Sequence, residues 1–473
     1  MEGNEVRVGG AKDRYLLYHQ VHMIERVLRR LSTESARKIL FKHLEWIIPF
    51  LNQILSCLNA LQTSEGAALL GSAGAILSMS PQEKAHYLRR GQPRLHPIPG
   101  DSDAGDYSTV GGATVSSGRA WVRHVVEFVS HSLGLSLYVV PSSVGHLQTL
   151  SPKAAPLIFA HLDALEHRYL RIILRHVTIP WIKNCPCDGV TAWVIPSLSL
   201  LAPHMKARLA SAWQTLNVEL SNQVPSHSPY TASVSQATEE DVINDRIVRE
   251  ISQEYADLLK ELATRQFDAA ESQRGKTLLE IFLAVDPMGG LAAAAAAVEG
   301  MMRPDEAAYK YAAFCRALVN LAPADASLYN YVGSEILYNT ISSLSLEVML
   351  SHQAEILGMI RAIIVQQMDN PQSQIHSVLA MLPGVGPAQI ASFIASIKST
   401  GSEKEQRNHV KTFLLSTAGR GSFTALARWK PPGGASAVQG IKHRSSRIQK
   451  SPHQEEADER LQGDITRHLF ESS

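Results

Sequence analysis

The chain has 473 residues, of which 45% are hydrophobic, 19% charged and 6% aromatic, and its formal net charge is +1. This length suits two or three ordinary domains or one long repeat array, and the near-neutral charge argues against a uniformly basic protein that coats nucleic acid. Four scattered cysteines exclude a disulfide framework, which fits a reducing nuclear or cytosolic compartment.

The polar N-terminus, Met1-Glu2-Gly3-Asn4-Glu5, lacks the apolar core of a signal peptide. No uncharged apolar run reaches the roughly 18 residues that a membrane-spanning helix needs, so we expect no membrane insertion. The first strong pattern is an apolar stripe at three- and four-residue steps, which predicts a helix that Pro49 kinks or splits. Its members are Ile39, Leu40, Leu44, Ile47, Ile48, Leu51, Leu55 and Leu58.

Strand signals are weak, and the best candidate, Leu135 to Val140, is short and stands alone. Residues 158–178 carry a helical stripe that we expect to end at Pro180, and a further helix is expected to start with Pro203 in its first turn. Cys185-Pro186-Cys187 is interpreted as a turn, because no second cysteine pair completes a zinc site.

Later helices are predicted from the same period, and the alanine-rich run Leu291 to Val298 is either a helix or a low-complexity insert. The last of these helices starts at Ser402, which has Glu405 at capping-box spacing. The predicted later helices cover 243–258, 274–285, 304–321, 326–343, 345–368, 385–399 and 402–417.

Long helices joined by short turns predict an all-α protein, an α-α superhelix of stacked HEAT-like pairs. No strict period is visible, which suits the degenerate HEAT type. Polar stretches divide the chain into predicted segments: HEAT-like helices in 1–90, a flexible loop in 91–118, HEAT-like helices in 119–220, a polar linker in 221–240, C-terminal HEAT-like helices in 241–428 and a disordered tail in 429–473.

No Walker loop, nucleophile elbow, HExxH helix or metal-ligand spacing is present, so we expect no enzyme activity, no catalytic or metal site and no cofactor. One segment, Leu382-Pro383-Gly384-Val385-Gly386-Pro387, resembles the hairpin of helix-hairpin-helix proteins, whose glycine amides hold a DNA phosphate. It departs from that motif because Ile390 replaces a small alanine and no basic residue follows the turn. The alternative is an ordinary turn between two helices.

Arg168, Arg171 and Arg175 lie at i, i+3 and i+7, so they share one helix face opposite the apolar stripe. Such a row can track a phosphate backbone, which makes these residues candidates for RNA or cargo contact. An ordinary solvated face is the alternative.

Several segments, taken in order, resemble the plant-type exportin-5 (HASTY-like) family of nuclear export receptors in the importin-β superfamily. The similarity spans roughly residues 40 to 428. The segments that carry it are Ala75 to Glu83, Leu165-Glu166-His167-Arg168, Lys183-Asn184-Cys185-Pro186 with Trp193 downstream, Leu209 to Trp213, Asp245 to Ile251, Leu379 to Pro383, Lys398 to Gln406 and Leu414 to Ala427. Thr424 stands where a lysine is usual in the family, and the alanine-rich run and the tail are not family-like.

The resemblance implies a HEAT-repeat receptor that binds RanGTP, structured RNA or protein cargo, and nuclear pore proteins, and that shuttles between nucleus and cytoplasm. The chain resembles the C-terminal portion of such a receptor, so we expect its own RanGTP binding to be weak. Two other functions stay open: a HEAT-type protein–protein scaffold, and nucleic-acid binding through the turn at 382–390.

Overall fold

The structure, a computed structural model, describes residues 11–30, 34–88, 115–139, 158–159, 161–184, 193–222, 238–266, 275–303 and 305–417, together with residues 423 and 426. Within these ranges the chain is helical and forms no β-strand, apart from an isolated antiparallel bridge between Gln266 and Thr277. The predicted all-α class is confirmed.

The helices are connected by short turns, several of which include a 3₁₀ or π-helical segment. In chain order they are α1 (Ala11–Arg30), α2 (Glu34–Ala60), α3 (Ser64–Leu70), α4 (Pro81–Leu88), α5 (Val115–Val139), α6 (His167–Ile173), α7 (Ile179–Asn184), α8 (Ile195–Asn222), α9 (Glu239–Thr264), α10 (Leu278–Val285), α11 (Pro287–Met301), α12 (Ala308–Leu321), α13 (Ala326–Tyr331), α14 (Leu337–Ser343), α15 (Gln353–Gln367), α16 (Ile375–Ala380), α17 (Pro387–Ser399) and α18 (Glu403–Thr417).

From α6 onwards the helices stack in two layers. In one layer α8 packs on α11 and α11 on α14; in the other, α6 and α7 pack on α9, which is followed by α12, α15 and α18. Helix α8 also packs on α9, and α17 packs on α18. Because each pair contacts mainly its neighbours, the arrangement is the predicted HEAT-like solenoid.

At the N-terminal end, α5 packs against both α1 and α2. Leu44, Ile48, Leu51 and Leu55 of the predicted α2 stripe are fully buried. Ile39 was expected in that stripe, but it is 67% exposed, because it lies a turn before the part of α2 that the neighbouring helices cover. Pro49 does not split the helix, which runs without a break from residue 34 to residue 60.

Two predictions about other prolines are wrong. Pro180 does not end its helix, because a π-helical turn at Leu174–Thr178 precedes it and α7 then continues through it. The predicted helix over 158–178 starts only at His167, after turns that include residues 161–164. Pro203 lies inside α8 and not in its first turn. A proline removes one backbone hydrogen bond, but it does not stop a helix whose apolar face is buried, as that of α8 is.

The candidate strand from Leu135 to Val140 is also wrong, since its residues through Val139 belong to α5. Val125, Val129 and Leu133, which precede it in the same helix, are buried at four-residue steps, as expected of a helix. Helix α5 begins at Val115, inside the predicted loop 91–118. Residues 91–114, Cys185 to Cys187, most of the polar linker and the tail lie outside the described residues.

The alanine-rich run is a packed helix and not an insert outside the array. Helix α11 packs against α8 on one side and α12 on the other, and its alanines at 293, 294, 296 and 297 are buried. Small side chains let the neighbouring helices approach closely. At the end of α11, Gly300 faces the ring of Tyr311, which a Cβ atom would meet at 2.5 Å.

One described segment, Glu347–Gln367, is long and apolar enough to cross a membrane by length and composition, and the bent pair of segments Ser35–Ala60 and Ser64–Leu70 also passes that test. In the fold, α15 packs against α12, α14 and α18. Its charged residues Glu355 and Arg361 form ion pairs with those neighbours. These contacts connect α15 to the neighbouring helices of the array.

Candidate cargo-contact surface

The three candidate arginines belong to α6 and to the π-helical turn that follows it. Helix α6 begins after Glu166, which has extended backbone angles, and buries Tyr169, Leu170 and Ile173. The arginines therefore face away from this core, as predicted. Opposite them lie two other elements: α4, and the acidic face of α9.

Arg168 is held by one neighbour in the chain, Glu166, and by two groups more than 80 residues away, Glu83 and the Leu77 carbonyl. Its Nε lies 2.7 Å from Glu166 Oε2, its Nη1 lies 3.3 Å from Glu83 Oε1, and its Nη2 donates to the carbonyl oxygen of Leu77. The guanidinium also covers the Tyr169 ring, 4.6 Å from its centroid. Only 12% of the side chain is exposed, so Arg168 ties α6 to α4.

Arg171 and Arg175 pair with carboxylates of α9. Arg171 Nη1 lies 2.5 Å from Glu250 Oε2, and its Nε lies 3.5 Å from Glu254 Oε1. Arg175 Nη1 lies 3.8 Å from the same Glu254 oxygen. The hydroxyl of Tyr87 on α4 donates to Glu250, which joins a third helix to the cluster. Burial raises the pKa of Glu254, and the two arginines counteract that rise.

The positive charges of the three arginines are therefore largely balanced by carboxylates of the same chain. Arg175, at 35% exposure, is the most accessible of the three arginines, whereas the exposed fractions of Arg168 and Arg171 are 12% and 22%. A phosphate backbone would have to displace carboxylates to reach Arg168 or Arg171. Contact of the three arginines with RNA or cargo therefore stays a prediction, and it has most room at Arg175.

The pairing continues along the whole layer formed by α6, α7, α9, α12, α15 and α18. We call this series of contacts the ion-pair ladder. Its members are Arg171 and Arg175 with Glu250 and Glu254, Lys183 with Glu261 (3.2 Å), Lys310 with Asp257 (2.6 Å), Arg316 with Glu355 (2.7 Å) and Arg361 with Glu403 (3.0 Å).

The partners of the arginines were missed at the sequence level, although a signal existed. Glu250, Glu254 and Glu261 recur at i, i+4 and i+11 on α9 and therefore share one helix face. This acidic row mirrors the basic row of Arg171, Arg175 and Lys183. Complementary rows of this kind are expected where two helices lie side by side.

A cavity of about 610 Å³ lies between the turn at 161–166, α8 and α9. Arg208 of α8 donates to the carbonyl oxygens of Leu162 (2.7 Å) and Leu165, and His204 Nδ1 lies 3.0 Å from Asp163 Oδ1. Burial lowers the pKa of His167 to about 4, with help from Arg208 and His204. These contacts hold the turn against α8, because they satisfy its carbonyl groups.

The glycine turn at 382–387 connects α16 to α17. Gly384 has a left-handed φ of 73°, and the N–H of Gly386 donates to Gln389 Oε1 at 2.8 Å. The Val385 N–H donates to the carbonyl of Leu382 at 3.3 Å. Because these amides already have partners inside the turn, the geometry favours an interhelical turn over a phosphate-binding hairpin.

Comparison with known proteins adds an independent line of evidence. Residues 7–428 match the model of the Exportin-5 family. The chain is 24% identical over 453 residues to Protein HASTY 1 of Arabidopsis thaliana, a match that covers 88% of this chain and 37% of that protein. It is 22% identical over 268 residues to Exportin-5 of Dictyostelium discoideum, covering 55% and 21% of the two chains. The chain thus spans well under half the length of these curated relatives.

Proposed function

Since the chain belongs to the exportin-5 family, we propose that it acts as the C-terminal HEAT-repeat part of a nuclear export receptor that carries structured small-RNA precursors, proteins or both, together with RanGTP. The observation that carries this proposal is the family match over residues 7–428, which runs through both layers of the solenoid. The resemblance in residues 40 to 428 supports it.

The mechanism we infer is binding and not chemistry. A solenoid presents an extended surface that many weak polar contacts can line, and cargo and RanGTP bound to one such surface influence each other's affinity. GTP hydrolysis would belong to Ran and not to this chain. Nuclear pore proteins are the remaining partners, and the receptor would shuttle between nucleus and cytoplasm.

Depletion of the chain in its own cells, followed by re-expression, tests the proposal. We expect the nuclear-to-cytoplasmic ratio of structured small-RNA precursors or of a protein cargo to rise on depletion and to return on re-expression. Unspliced messenger RNA serves as a control that should not change. An unchanged ratio for every structured RNA and every protein measured would overturn the proposal.

A binding experiment with purified protein separates the partners. We expect the chain to bind a stem-loop RNA or protein cargo and to bind RanGTP only weakly by itself. Where both bind, RanGTP should raise cargo affinity by about 5- to 150-fold, the usual range of coupling between two sites, and RanGDP should not. Absence of cargo binding at any Ran state would favour the alternative of a protein–protein scaffold.

A further inference from the structure

Helix α1 carries a row of exposed apolar side chains on one face. Leu16, Met23 and Val27 lie at i, i+7 and i+11, within about 40° of one another around the helix axis, and we call them the α1 stripe. Their exposed fractions are 53%, 62% and 43%. Other exposed apolar residues, such as Leu200 and Leu350, lie on separate elements, which is ordinary for a protein surface. Three in a row on one helix face indicate a contact surface.

The opposite side of α1 is packed, so the α1 stripe is presented on a fixed helix. Val21 and Leu28 are buried in the contact with α5. The indole Nε1 of Trp121 on α5 donates to the Arg14 carbonyl at 2.9 Å. Helix α1 therefore cannot turn the stripe inwards without losing its contact with α5.

Helix α18 shows the contrast. It has the polar outer face expected of a helix in a repeat array that faces water. Its exposed residues are Glu403, Lys404, Glu405, Asn408, His409, Lys411, Thr412 and Ser416. The outer face of α1 differs because its centre is apolar, which favours a face that takes a partner.

The α1 stripe has a basic border. Arg26 and Arg30 follow Met23 at i+3 and i+7, so both lie along the same edge of the stripe. Arg30 is exposed, and the side chain of Arg26 is 51% exposed. The opposite edge carries the exposed residues Gln20 and Asp13. Positive charge is therefore concentrated on one edge.

The nearest carboxylate to this border is already engaged elsewhere. Glu25 is buried, and its Oε2 lies 3.9 Å from Arg26 Nε. Its other oxygen lies 2.5 Å from Arg29 Nη2 and 2.9 Å from His131 Nδ1. The charges on Arg26 and Arg30 are thus directed at the surface, where carboxylates of a partner can approach them.

A partner that fits this surface has a row of apolar side chains with carboxylates along one edge, as an amphipathic protein helix does. Structured RNA fits poorly, because its phosphates and sugars would leave the three apolar side chains without contact. A membrane also fits poorly, because the stripe is narrower than the apolar face by which interfacial helices insert.

We propose that the α1 stripe docks an amphipathic helix of a partner protein, whose apolar face covers Leu16, Met23 and Val27 and whose carboxylates pair with Arg26 and Arg30. This docking surface goes beyond the proposed transport function and does not depend on it.

Methionine methyl signals in the full chain test the proposal by nuclear magnetic resonance. Met23 is in the stripe, and Met288 on α11, which is 75% exposed, is the matched control. Met23→Leu and Met288→Leu assign the two signals. The probes are two helical peptides of about 18 residues, long enough for partial helix formation. Both carry the same row of leucines, one with glutamates along one edge and the other with lysines there.

We expect the glutamate peptide to shift the Met23 signal in a saturable way and to leave the Met288 signal unchanged. It should bind at least about fivefold more tightly than the lysine peptide, since one exposed charge pair contributes up to about 1 kcal/mol. Arg26→Glu combined with Arg30→Glu should reverse this preference. Val27→Asp should abolish binding of both peptides. These positions are exposed, so the variants should fold, and circular dichroism checks their helix content.

The proposal would be overturned if neither peptide shifted the Met23 signal at concentrations up to about 1 mM, or if both bound equally well. Equal shifts at Met288 would also contradict it. A stem-loop RNA or phosphatidylserine vesicles that shift Met23 where the glutamate peptide does not would assign the stripe to that partner instead. A Met23 shift that depends on the concentration of the chain alone and disappears in Val27→Asp would assign it to a second copy.

Discussion

Gly134 of α5 lies directly against the carbonyl oxygen of His176, since a Cβ atom on this glycine would come within 1.9 Å of that oxygen. His176 belongs to the π-helical turn before Pro180, and Pro180 has no N–H to donate to a carbonyl in the preceding turn. One residue before Gly134, the carbonyl of Leu133 accepts from Trp181 Nε1 at 2.9 Å. The close approach of α5 to α7 therefore depends on a glycine at position 134.

Gly134→Ala should destabilise the protein by about 1 to 3 kcal/mol, because the added methyl group forces α5 away from the backbone of the π-helical turn. Gly358→Ala is the matched control. It also lies inside a helix, its nearest neighbour is Arg407 Cδ at 3.7 Å, and it should be neutral or stabilising by about 0.5 to 1 kcal/mol. Urea unfolding measures both; equal effects would contradict the packing role of Gly134.

The turn at 382–387 contains Gly384 and Gly386, whose replacement by alanine should have different effects on stability. Gly384→Ala should lower the free energy of unfolding by about 1 kcal/mol, since its φ of 73° is unfavourable for a residue with a Cβ atom. Gly386 has an ordinary φ of −100°, and a Cβ on it would meet open space, so Gly386→Ala should change little.

Nucleic-acid affinity should be the same in both glycine variants and in the wild type. A folded Gly384→Ala or Gly386→Ala protein that had lost RNA or DNA binding would support the phosphate-binding hairpin.

Removing Arg171 should lower the free energy of unfolding more than removing Arg316 does, although each arginine forms one short ion pair with a glutamate. Arg171→Ala leaves Glu250 and Glu254 largely buried without their main cation, which should cost about 2 kcal/mol. Arg316→Ala breaks a pair that is about half exposed and should cost less than about 1 kcal/mol. Thermal unfolding at moderate salt compares them, and a larger loss for Arg316→Ala would be inconsistent with the burial of the two sites.

Stability should fall as the pH falls from 6.5 towards 4. Burial lowers the pKa of His176 from 6.5 to about 4, with smaller effects from His131, Arg175, Arg171 and Arg29. The folded state therefore binds fewer protons than the unfolded state within this window, and stability rises with pH across it. The stabilisation is fully present above pH 6.5 and is lost on the way down to about 4.

His176→Gln should flatten part of this pH dependence, because glutamine does not titrate. Urea unfolding at pH 7 and pH 5 gives the two stabilities for each protein. The same measurement on His43→Gln, an exposed position on α2, controls for replacing a histidine with glutamine. A His176→Gln variant that kept the full wild-type slope would assign the pH dependence to other groups.

Local periodicity predicted most of the architecture. The stripe through Ile243, Ile247, Ile251, Tyr255 and Leu258 coincides with α9, and all five residues are buried. The helical period depends only on residues close together in the chain, so it can be recognised in each segment by itself. Proline misled the same reasoning, because burial outweighs the loss of a single backbone hydrogen bond, and the short strand prediction failed because an apolar run alone does not separate helix from strand.

By itself the sequence determined the helical class, the sides of the helices that are buried and, through ordered segments from residues 40 to 428, the family resemblance. It placed Arg168, Arg171 and Arg175 on one helix face opposite the apolar stripe but said nothing of what that face contacts. Only the tertiary structure decided this, because Arg171 and Glu250 are 79 residues apart in the chain. Hydrophobic periodicity indicates which side of a helix is buried. Which helix packs on the other side depends on how segments distant in the chain are stacked.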